Sequence, residues 1–368
     1  MRTRSLLFTL AALGAAALAA CQGSGPSKAP GAFPAVNPSG DHAESVVVGD
    51  VGSGCSGGTT NSAVLFYSLG TNTIPLSGNL APSTDLTGAH TQLNYPAGLF
   101  VDDNGNLWVS SYGAAAVQQY SVAPKPTAAP SKTITDTLDT PHLSGPTALY
   151  VQQNASGVNT WVYVADFLSN AIDVFAASAS GNVHASYQIA GATTALSSPS
   201  GIVLDRNGNI WVGNRGGSDI LEFPPVTALA TGANDIAPSV KIGAGTTGLV
   251  GPTGVYFDRT GDLWVGDQFS DAISEFSASS IASSYTGSPA VTIKGAATGI
   301  AAPFSVVIDS GANVYETGFS GATVNIWSAT NALTGGNIAP TYTILGAATK
   351  LVCPSAIQVY STSGTTDV

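Results

Sequence analysis

Side chains able to hold a metal recur along this chain at wide, regular intervals: Asp50, Asp166, Asn214 and Asp267. Each closes a short apolar run ("SVVVGD", "VYVAD", "IWVGN", "LWVGD"), and Ser111 and Gly318 hold the same place in two further copies. Carbonyl and carboxylate oxygens converging on one axis would suit a divalent cation. The competing reading is local: each side chain accepts hydrogen bonds from the turn that follows it. Recurrence favours the local reading, because a catalytic site usually breaks the symmetry of a repeat. Glu316 does break it, standing in "VYETG" where other copies carry valine. A carboxylate there either finds a partner on a buried face or points into a wet channel. A structural role is favoured over a catalytic one.

A second set follows each polar position: Tyr112, Phe167, Arg215, Gln268 and Phe319, with Phe269 beside Gln268. Aromatic rings with an arginine suit recognition of a sugar, peptide or protein; the same rings also suit packing between elements. Other candidates are weaker. His42, His90, His142 and His184 show no zinc spacing. "DDNGN" (102–106) and "DRNGN" (205–209) open like calcium loops but lack the distal glutamate, so tight turns explain them. "GSGCSG" (52–57) satisfies G-x-G-x-x-G but runs into polar loop, not helix. No Ser–His–Asp spacing stands out.

The elements that must position these residues form a repeat. "LNYP", "LSGP", "LSSP", "LVGP", "IAAP" and "LVCP" end in Pro96, Pro146, Pro199, Pro252, Pro303 and Pro354, at steps of 50, 53, 53, 51 and 51 residues. Downstream of a proline, as in "PSGIVLDRNGNIWVGNRGGSDILEFP", lie strand A ("GIVLD"), a glycine turn, strand B ("IWVGN"), a polar loop and strand C ("DILEF"). A variable connection leads to strand D ("SVKIG"). Four antiparallel strands in about 50 residues, repeated, describe blades of a propeller, each burying its faces on its neighbours.

"YVADFLSNAIDVF" (163–175) resembles the core of an NHL repeat, with weaker echoes in "WVGDQFSDAISEF" and "WVGNRGGSDILEF". The resemblance spans nearly all of 43–368 and implies an all-β, six-bladed β-propeller. A more distant similarity to senescence-marker and gluconolactonase-like propellers implies the rival reading, a metal-dependent lactonase or lyase using Asp50, Asp166, Asn214, Asp267 and Glu316. The sixth copy stops after strand A, "SAIQVYS". The missing strands stand at the start: "ESVVVGDVGSG" (44–54) as B, "AVLFYSLG" (63–70) as C and "APSTDLTG" (81–88) as D. Three N-terminal strands plus one C-terminal strand therefore complete the ring. Cys353, before strand A, and Cys55, in the B–C loop of that blade, fall on one face, and a disulfide between them is expected.

Before the propeller, "MRTRSLLFTLAALGAAALAAC" has Arg2, Arg4, an apolar run and small residues. Its "LAAC" ending resembles the lipobox of bacterial lipoproteins. That implies a signal peptide over 1–20, lipidation of Cys21 and, with Gln22 next, the outer membrane. Residues 21–42, rich in Gly, Pro and Ser, read as a flexible tether. Charged residues make up only 9% of the chain, 11 basic against 22 acidic, with no basic cluster after the leader. Nucleic acid is thereby disfavoured as a partner. The expectation is a monomeric, lipid-anchored cell-envelope domain that binds a protein, peptide or glycan without catalysis.

Overall fold

The computed structural model describes residues 45–55, 62–68, 77–122 and 125–360; Cys21 and the tether lie outside them. Six sheets surround one axis. Blade three is representative: Pro199–Leu204 (A), Ile210–Asn214 (B), Asp219–Phe223 (C) and Val240–Gly243 (D) run antiparallel from the axis outward. Blades one, two, four and five begin at Pro96, Pro146, Pro252 and Pro303. Blade six is composite, as the sequence predicts. Its strand A is Pro354–Tyr360, and Ser45–Asp50, Ala63–Ser68 and Thr84–Thr87 supply B, C and D. Ser45 pairs with Tyr360 and Asp50 with Pro354.

The core is distributed between the blades. Six clusters of buried apolar side chains each join two neighbouring blades, including six to one and five to six. Val47, Phe66 and Leu86 of blade six meet Leu99, Val109 and Tyr120 of blade one in this way. Every inner strand is thus covered on both faces, and strands B read as continuous apolar runs for that reason. Close approach at the axis needs the glycine of "PAG", "PSG" and "PTG". A Cβ on Gly201 would lie 2.1 Å from the Thr253 carbonyl oxygen, and one on Gly98 would lie 2.7 Å from Ala148 Cα. Hydroxyls stitch the ring there. Thr147, Thr253 and Ser355 each donate to a carbonyl on strand B of their own blade and to the proline carbonyl of the next, Pro199, Pro303 and Pro96.

The tight turns between strands A and B are closed by their first aspartate. Asp102, Asp205 and Asp258 each accept backbone N–H groups two and four residues on and the indole N–H of Trp108, Trp211 and Trp264. These residues form turns and not calcium loops.

The variable connection before strand D carries more structure than the sequence reading assigns it. In blade two it supplies Gly181–Asn182, pairing in parallel with strand D of blade one; in blade three it supplies Gly232–Asn234, pairing with strand D of blade two. Single bridges repeat this at Tyr285, Gly336 and Gly78 on Ile242, Ile293 and Ile344. Five of the six outer sheet edges are thereby covered by the following blade, which removes a template for aggregation.

Candidate functional site

Strand B carries every site candidate to one end of the disc, where the B–C loops and the D–A loops meet. The polar residue closing strand B works within the frame. Asp267 accepts the backbone N–H groups of Val250 at 2.7 Å, Gly251 at 3.0 Å and Ser270 at 3.1 Å. Asp166 accepts those of Ser144, Gly145 and Ser169, and Asp50 those of Gly52, Val352 and Cys353. Asn214 accepts from Ser197 and donates to Ala195 and Asp219. The local reading therefore needs one correction. Most donors come from the loop entering strand A, and only one per aspartate from the following B–C turn. This residue ties two loops together.

These groups do not converge. Each is buried in its own blade with its oxygens already hydrogen-bonded. The axial channel is walled by the inner strands, and its polar lining is Ser200, Thr253, Ser305, Ser355 and Gln358 with the tyrosines Tyr150 and Tyr256, with no carboxylate among the described residues. Glu316 does not reach it. The side chain is fully buried, its Oε2 accepts from Asn325 Nδ2 at 2.9 Å, and its Oε1 has no partner among the described residues. Burial pushes its pKa up to about 8.

Among the described residues the one group of donors close enough to share a cation is Asp136, Asp139 and His184, at the outer margin of blades one and two. Its atoms are largely committed. Asp136 accepts the N–H groups of Leu138, Asp139 and Ala185, and Asp139 Oδ1 lies 2.5 Å from His184 Nδ1. Burial works against the charge on Asp139, but the His184 hydrogen bond and its other hydrogen bonds outweigh it and hold the pKa low. The arrangement closes the D–A loop of blade one. His90 and His142 stand apart and exposed.

The second set of residues does converge. Tyr112, Phe167, Arg215 and Gln268 line one opening on the axis, together with Tyr95, Thr147, Ser200 and Phe304. Arg215 donates from Nε to Gln268 Oε1 at 2.8 Å. Its guanidinium carbon lies 4.5 Å from the Phe269 ring centroid and 5.5 Å from that of Phe167. Tyr112 packs on Tyr95 at 5.2 Å and on Phe167 at 6.3 Å. Phe319 completes the rim by packing on Phe304 at 5.7 Å. Among the described residues no carboxylate pairs with Arg215, and burial lowers its pKa. The arrangement can hold a ligand by ring contact and by the arginine's remaining donors.

Tyr95 and Phe304 escape the sequence reading, although a signal existed. They flank the repeat prolines Pro96 and Pro303, where the other copies carry small residues such as Gly145, Gly251, Ala97 and Ser355. Two bulky residues breaking small columns marked the mouth.

No family model matches this chain, and no curated protein matches it. Solved structures do share its fold. A structure of the nidogen/laminin complex aligns at 14% identity and a TM-score of 0.54, covering 86% of this chain and 98% of that one. A protein of unknown function from Bacteroides caccae aligns at 10% identity and 0.54, with the same coverages. A candidate 6-phosphogluconolactonase from Bacteroides uniformis aligns at 12% and 0.53, again over 86% and 98%. At these identities the likeness is one of fold: the chain is an all-β, six-bladed β-propeller.

Proposed function

We propose that this chain is a lipid-anchored, NHL-like binding propeller of the cell envelope, which recognises a protein, peptide or glycan through the mouth at Arg215. The observation that carries this reading is convergence. Tyr112, Phe167, Arg215 and Gln268, drawn from four blades, meet in one opening with Tyr95 and Phe304. The rival, a lactonase- or lyase-like metal enzyme, needs acidic donors gathered on the axis. Asp50, Asp166, Asn214, Asp267 and Glu316 are instead buried in separate blades, the first four with their side-chain oxygens spent on backbone N–H groups, and do not fit a shared cation. Anchoring rests on Cys21 at the end of the leader, and the acidic balance of the chain disfavours nucleic acid as partner.

The test uses the purified full chain on glycan and peptide arrays, beside a Tyr112→Ala/Phe167→Ala double variant. Selective binding by the parent that the double variant loses is the expected outcome; equal binding by both would remove the mouth from the reading. Elemental analysis of the same protein and of Asp267→Ala/Glu316→Ala tests the rival. Stoichiometric metal in the parent, lost in that variant, would replace a binding function with a metal centre.

A further inference from the structure

The mouth is unusual in what it offers a ligand. The Arg215 guanidinium carries five N–H groups in a fixed fork. One, on Nε, is taken by Gln268. Phe167 and Phe269 stand over the guanidinium. The N–H groups on its two terminal nitrogens have no protein acceptor among the described residues. Among the described residues the hydroxyls of Tyr95 and Tyr112 likewise have no hydrogen-bond partner, and both phenols lie near enough to Arg215 to interact with it electrostatically. Among the described residues no Asp, Glu or Lys lines the opening. The site is therefore rich in donors, poor in acceptors and walled by ring faces.

A half-buried arginine without a carboxylate gains from an anion that completes it. Two parallel N–H groups match the two oxygens of a carboxylate. A phosphate fits less well: it usually carries nearly two charges, the chain is acidic at −11, and this opening supplies a single cation. The aromatic walls add a demand for a flat or ring-shaped body beside the anion. A free amino group finds no acid to meet it.

We propose that the mouth binds a carboxylate borne on a ring, held end-on by the terminal nitrogens of Arg215 with Tyr95 and Tyr112 as further donors. This rests on the binding reading above and narrows its ligand. A uronic-acid sugar and a small aromatic acid share this chemistry, and the experiment separates them.

Titration calorimetry or ligand-detected NMR on the full chain would compare glucuronate, benzoate, glucose and acetate. Glucuronate or benzoate should bind measurably better than glucose and acetate, and the better of the two names the source. Raising the salt should weaken binding. Arg215→Met should cost roughly 10- to 100-fold in affinity, the range for hydrogen bonds to a charged group. Arg215→Lys, which keeps the charge but loses the fork, should recover only part of it. A melting curve on each variant establishes that it is folded. Equal binding of glucose and glucuronate, binding indifferent to Arg215, or no binding of either acid would overturn the proposal. If the acids fail while an array ligand still depends on Tyr112 and Phe167, the ligand class is wrong and the binding function stands.

Discussion

Glu316 shows how far one residue can depart from its repeat. It occupies the register of Val212 and Val265, on the face of blade five that Val314 turns toward Trp264 and Ile273 of blade four. Its folded pKa near 8, against 4.5 ordinarily, arises from burial first, with Asp271 adding to it and the Asn325 hydrogen bond opposing it. The folded state therefore holds a proton that the unfolded state releases. That contribution to stability is complete below pH 4.5, fades as pH rises, and is gone above about 8. Glu222 and Glu275, raised to about 7 by burial, add to the same trend over a narrower window. Each pH unit of such a shift is worth about 1.4 kcal/mol. Glu316→Gln, neutral at every pH, should match the parent in melting temperature near pH 5 and exceed it near pH 9. Parallel melting curves across that range would show that Glu316 is charged in the fold. The mouth residues teach the reverse lesson. Tyr112, Phe167, Arg215 and Gln268 were legible because strand B ends in register in every blade, but their mutual contacts cross blades and leave no mark in local spacing.

At the scale of the element, the loops between blades carry a regularity that the strand pattern hides. Before strand A stands a short turn, as in Ala192–Thr194, Ala296–Thr298 and Ala347–Thr349. Its buried threonine donates to the glycine carbonyl three residues back and accepts the N–H two residues on. The middle N–H of each turn is satisfied by the following blade: Asp235 takes Thr193, Asn337 takes Ala297 and Asn79 takes Ala348. These acceptors are the third residues of "ANDI", "GGNI" and "SGNL", one short motif inside connections of unequal length. Each acceptor stands 17 residues before the next repeat proline, Pro252, Pro354 and Pro96, so the column exists; it is masked because Asp and Asn share it within otherwise variable sequence. Asn337→Ala should lower stability by about 1 kcal/mol, the usual worth of such a cap, seen as a lower denaturant midpoint at unchanged slope. Asn337→Asp should be nearly neutral, because Asp235 already does this work between blades two and three. Equal losses in both variants would mean that the neutral amide at 337 matters and acceptance alone does not, since aspartate keeps both the size and the acceptor.

The whole molecule closes where its two ends meet, and here the sequence was most informative, because an incomplete sixth repeat can be completed only by strands from the other terminus. Topology then decides direction. Ser45 enters and Tyr360 leaves at the face of the A–B turns, opposite the mouth. Closure is held three ways: the ladder from Ser45–Tyr360 to Asp50–Pro354, the apolar clusters on both sides of blade six, and a disulfide between Cys55 and Cys353, whose Cα atoms are 5.6 Å apart. The bond spans 298 residues, so it restricts the unfolded chain strongly, and its loss should cost about 2–5 kcal/mol. The ladder and the clusters remain without it. Cys55→Ser/Cys353→Ser should thus fold to the same ring and melt in one transition at a lower temperature, since all six interfaces share one closed circuit. Non-reduced peptide mapping should show the Cys55–Cys353 link in the parent. A melting temperature unchanged by the double substitution, with that link mapped, would place the whole burden of closure on the strands.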